Sequence, residues 1–157
     1  MDVHPETGRP ETDKDRADRN LAELLGELRV ALPGVQVLFA FLLVVPFNQR
    51  FTDVTEFQEK VYLATLLCAT LASAFLIAPT VHHRIEFRRQ NKEQIVVTGS
   101  RLAVVGLAFL AVAMTGVVLL VTDFLFAEAT AAVCTAVAGA AFLWLWFAIP
   151  LRRRLAD

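Results

Sequence analysis

Residues 27–47 read ELRVALPGVQVLFAFLLVVPF. The stretch opens as the end of an amphipathic helix and closes as a run that only hydrocarbon or a buried core would tolerate. Pro33-Gly34 stands between the two, followed by one amide, Gln36. Proline is accepted in the first turn of a helix, where its missing N–H is not needed. The dipeptide therefore predicts a corner, with a surface helix ending at about residue 33 and a crossing helix starting at Gly34. A helix restarting there has only about 24 Å of charge-free length at 1.5 Å per residue, a short first span. Gln36 would sit near its entrance, and an amide in hydrocarbon needs a partner, so it is expected to face the other helices.

Outward from that stretch, the charges are segregated. Of 157 residues, 56% are hydrophobic, and the mean hydropathy is +0.54. Four stretches, 30–49, 61–83, 102–122 and 129–151, contain no Asp, Glu, Lys or Arg, and all 31 charged residues fall outside them. Each is long enough as a helix to cross about 30 Å of hydrocarbon. Ala and Leu dominate them and period-2 alternation is absent, which favours helices over strands. The expected fold is an all-α, polytopic four-helix membrane bundle preceded by an amphipathic interfacial helix. Its parts are a disordered tail at 1–19, the amphipathic helix at 20–33, spans near 34–50, 60–82, 102–122 and 129–150, and a basic tail at 151–157.

Leu21, Leu24, Leu25, Leu28 and Leu32 form one narrow stripe, with Asn20 and Glu23 spaced as a capping box. Such a helix either lies in the headgroup plane or covers the ends of the bundle. Thirteen of the 15 basic residues lie in the N-terminal tail, the second loop and the C-terminus, and the first loop holds only Arg50 and Lys60. The positive-inside rule then places both termini in the cytoplasm. Asp53 and Glu56 resemble a helix start for the second span. Residues 95–101, IVVTGSR, look like an irregular entry to the third. Trp144 and Trp146 suit an interface near the end of the fourth.

Small residues recur every fourth position. Ala64, Cys68 and Ala72 lie beside Thr65, Ala69 and Ser73, and in the last span Ala131, Thr135 and Gly139 lie beside Ala132, Ala136 and Ala140. Such rows let helix backbones approach, within one chain or between copies. Cys68 and Cys134 are mid-span and read as small packing residues. His82 and His83 are adjacent and diverge around a helix, so they make a poor chelate, while His82 and Glu86 have the spacing of a pair. The basic run from Arg84 through Arg88 to Arg101 suits anionic lipid headgroups. If the amphipathic helix docks, Glu23 or Glu27 would meet Arg84 or Arg88.

No nucleophile elbow, phosphate loop, CxxC or HExxH appears, and no span holds an acid. The sequence therefore points away from an enzyme, with no cofactor, no metal and no nucleic acid. It leaves an oligomeric or accessory membrane subunit, or a small cation or proton channel or transporter.

The runs RNLAELLGELRVALPGVQVLFAFLLVVPFNQRF, APTVHHRIEFRRQNK and GSRLAVVGL resemble a family of small actinobacterial membrane proteins catalogued as a domain of unknown function. The resemblance covers roughly residues 19–150. It implies a four-pass protein of the bacterial plasma membrane and brings no catalytic residue with it. Within its motifs Glu23, Glu27, Arg29, Pro33, Gly34, Gln36, His83 and Arg84 are the candidate functional positions.

Overall fold

The computed structural model describes residues 13–48, 54–85 and 92–156. The chain is an all-α bundle. Helix α1 runs Asp13–Val44 and ends in a 3-10 turn, Val45–Phe47; α2 runs Glu56–Ile85 and α3 Lys92–Leu125. The last span is α4, Glu128–Phe142, a π-helical turn, Leu143–Ala148, and α5, Ile149–Ala156, in direct succession. Four helical stretches are long and apolar enough to cross a membrane: Asp18–Phe47, Glu56–His82, Val96–Leu125 and Glu128–Arg153.

The corner expected at Pro33-Gly34 does not form. Helix α1 continues through both residues and starts at Asp13, so Asn20 is helical rather than a cap. The part of the expected disordered tail from Asp13 onward is helical, and residues 1–12 lie outside the described residues. The physical reason lies in the alternative. A proline inside a helix removes one hydrogen bond, but a break in hydrocarbon would strand several backbone groups at several kcal/mol each. Likewise α3 begins at Lys92, so IVVTGSR is helix and not an irregular entry.

The buried face of α1 is set by Leu21, Leu28, Val35 and Leu42, one every seventh residue. This spacing is the seam of a coiled-coil-like packing. Leu28 and Val35 join Ala72 and Leu76 of α2 with Ala103 and Leu110 of α3 in one cluster, and Leu42 joins Ala69 and Ala113 in a second. The leucine stripe of the amphipathic segment thus docks on the bundle. Leu24 reaches Gly99 of α3, which in turn lies against the buried Pro79 of α2.

Helices α2 and α3 approach most closely, because small residues face each other. A Cβ built at Gly106 would lie 2.8 Å from Leu76 Cγ and 3.2 Å from the Leu76 backbone nitrogen. One at Gly116 would overlap Thr65 Oγ1. The last span packs chiefly on α3, with Ala131 its one buried residue in α4 and Gly139 against Thr115. The exterior is apolar over most of its height, including Phe41, Val104, Val112 and Val137, as suits a helix bundle in lipid.

The π turn has a local cause. Pro150 follows it and has no N–H to close an α-helical bond to Trp146. The turn widens, and the Ile149 N–H donates five residues back to Trp144 O. The guanidinium of Arg152 then lies 4.7 Å from the Trp144 ring centroid, a cation–π contact at the basic end of the span.

Candidate functional site

Two of the concave regions among the described residues stand out. The first, about 320 Å³, lies at the end away from the termini, between α1, α2 and α3, among Leu38, Leu42, Asn48, Gln58, Tyr62 and Phe124. Its polar rim is built by the start of α2. The Gln58 N–H donates to Thr55 Oγ1 at 3.2 Å, and the Thr55 N–H donates back to Gln58 Oε1 at 3.0 Å. This reciprocal pair is a capping box, and it makes Thr55 the cap that Asp53 was expected to supply. Asp53 itself lies outside the described residues. The remaining end of the same amide, Gln58 Nε2, donates to Asp123 Oδ2 at 2.8 Å. One side chain thus caps α2 and ties it to the far end of α3. Deeper in, Tyr62 Oη donates to the Leu42 carbonyl at 2.8 Å, joining α2 to α1. Thr55→Ala removes the cap and frees the Gln58 amide. It is expected to cost about 1 kcal/mol, read as a lower midpoint in a denaturing-detergent titration.

The second region, about 610 Å³, is a groove along α3 between α2 and the last span, among Thr65, Cys68, Thr115, Gly116, Thr135 and Gly139. Its hydroxyls are committed to their own helices. Thr65 donates to Val61 O at 2.7 Å, Thr115 to Ala111 O at 2.8 Å and Thr135 to Ala131 O at 2.7 Å. The groove therefore offers small apolar relief and little polar chemistry. Among the described residues Thr65 is the only buried polar one, and no group of three His, Cys, Asp or Glu residues is placed to hold a metal.

The residues singled out from sequence fall elsewhere. Glu23, Glu27, Arg29, Pro33, Gly34 and Gln36 are all exposed on α1. Gln36 was expected to face the bundle, and it turns away. Val35 holds the buried position, and Gln36 is one residue, about 100°, around the helix from it. Glu23 lies 4.0 Å from Arg19, one turn back on its own helix, and neither Glu23 nor Glu27 pairs with Arg84 among the described residues. His82 and Arg84 are exposed at the end of α2. The side chain of His83, and Glu86 and Arg88 altogether, lie outside the described residues.

Sequence reasoning passed over the Thr55–Gln58–Asp123 link. The T-x-x-Q spacing was a usable signal for the cap. Nothing local announces the bond to Asp123, which is 65 residues away. No curated protein and no solved structure matches the chain. A family model described as a family of unknown function (DUF6328) matches residues 10–150, and the chain belongs to that family.

Proposed function

We propose that this chain is a non-enzymatic multi-pass protein of the bacterial plasma membrane that works by association, as a homo-oligomer or as an accessory subunit of a membrane complex. The carrying observation is where its polar groups lie. Among the described residues the interior holds a single buried polar one, Thr65, whose hydroxyl is tied to Val61 O. Glu27, Arg29 and Gln36 all turn away from their own bundle. A protein whose distinctive side chains face outward is arranged for what surrounds it. Both termini are cytoplasmic in this reading, as the loop charges favour. Arg84, Arg101, Arg152 and Arg153 are exposed at that end, where anionic headgroups would meet them.

The expected result is an assembly larger than one 17.4 kDa chain by light scattering after chromatography in mild detergent. A lone monomer without a co-purifying protein would overturn the reading.

A second reading is a small cation or proton channel or transporter, favoured by the groove between α2 and the last span. Four helices with an apolar interior leave no conduit of their own, so several copies would have to enclose one. Ion and proton flux in proteoliposomes tests it. Rates equal to those of empty vesicles under sodium, potassium and pH gradients would remove it.

A further inference from the structure

The outward side of α1 carries its own seven-residue pattern. Opposite the buried Leu21, Leu28, Val35 and Leu42 run two exposed rows, Gly26, Pro33 and Ala40, and Val30, Val37 and Val44. Acyl chains impose no such period, whereas a second helix does. The small row is not required by the fold. A Cβ at Gly26 would meet nothing within 4 Å.

The depth of Gln36 adds a second, independent observation. Leu24 of α1 is level with Gly99 of α3 and with Pro79 of α2, and Leu42 is level with Tyr62 of α2. Counting equal helical rises from these contacts sets Gln36 close to Cys68 and Ala111. Ala111 is adjacent to the midpoint of the charge-free run 102–122. The amide is thus at mid-depth of the apolar belt, exposed, and without a hydrogen bond among the described residues. An amide in hydrocarbon without a partner is costly. Just below it, Pro33 has no N–H to give the carbonyl of Arg29, so a backbone acceptor on the same helix is also open.

These groups complement themselves. Glu27 and Gly34 lie on one flank of the exposed rows, Arg29 and Gln36 on the other, and among the described residues Glu27 and Arg29 have no ion-pair partner. Two copies inserted the same way and related by a two-fold axis along the helices bring the acidic flank of each beside the basic flank of the other. The same operation sets each Gln36, donor and acceptor at once, against the partner's Gly34, where no side chain covers the backbone. We propose that α1 is the seam of a parallel homodimer, closed by Val30, Val37 and Val44 and by a Gln36 hydrogen bond from each copy at mid-membrane. This rests on the associative reading above and names its partner and surface.

Single cysteines in a Cys68→Ala/Cys134→Ala background, oxidised in lipid vesicles, test the surface. Cross-linked dimer is expected from Val37→Cys, Ala40→Cys and Val44→Cys. Little is expected from Leu38→Cys, or from Val133→Cys and Val137→Cys on the exposed side of α4. An oligomer in detergent that cross-links through α4 and not α1 would overturn this inference and leave the associative reading standing, whereas a monomer would end both. Gln36→Met keeps the shape and removes the amide. It should raise the dimer dissociation constant roughly tenfold, and an unchanged constant would take the amide out of the seam. Gly26→Ile, whose Cβ meets nothing within 4 Å, should leave the helical content intact and abolish the cross-link at Val37. A surviving cross-link there would count against the close approach.

Discussion

Gly106→Val is expected to unfold the bundle more effectively than any other single substitution at its helix contacts. The first added carbon already lands 2.8 Å from Leu76 Cγ and 3.2 Å from the Leu76 backbone nitrogen. A side chain can rotate away, but a backbone atom moves only if α2 moves. Overpacking of this kind costs about 1–3 kcal/mol, and three carbons against a backbone belong at the top of that range. In a denaturing-detergent titration followed by circular dichroism, the variant should lose most of its cooperative transition. Gly34→Ala provides the contrast, since its added carbon meets nothing within 4 Å. It should shift the same transition by less than about 1 kcal/mol. Equal effects at the two glycines would mean that the α2–α3 approach does not limit stability.

Leu76→Ala is expected to give the next largest loss. Leu76 is fully buried among Val35, Ala72 and Leu110. In water-soluble cores such a truncation costs about 2–5 kcal/mol. In lipid the transfer component falls away, because acyl chains are as apolar as leucine, and the lost packing contacts remain. About 2–3 kcal/mol is therefore expected. Its coupling with position 106 is the sharper measurement. Removing the leucine side chain opens the space that a Cβ at Gly106 would enter. Leu76→Ala with Gly106→Ala should thus cost less than the sum of the two, by about 1 kcal/mol. Strict additivity would show that the glycine answers to the α2 backbone alone.

The four charge-free runs made the helical class and the number of long apolar helices legible, because hydrocarbon admits so few backbone solutions. What misled was the use of rules for water. Pro33-Gly34 and TGSR both resemble breaks, yet both are helical. The glycine of TGSR is there because Leu24 and Pro79 crowd it. The side that Gln36 takes was also readable. Continuing Leu21 and Leu28 by sevens reaches Val35 and Leu42, which leaves the amide outside. Pro33 interrupted that count by suggesting that the helix had ended. The Gln58–Asp123 bond and the π turn depend on tertiary placement and on Pro150, and periodicity alone does not report them.

The modest embrace of the last span has a consequence for biosynthesis. Helices α1, α2 and α3 supply every residue of both apolar clusters except the flanking Trp146, while α4 buries only Ala131. A chain emerging from its N-terminus completes that triad before residue 128 is made. The fourth span then joins a finished scaffold as a late addition, and a chain stopped after Leu125 should still insert and hold its first three helices together.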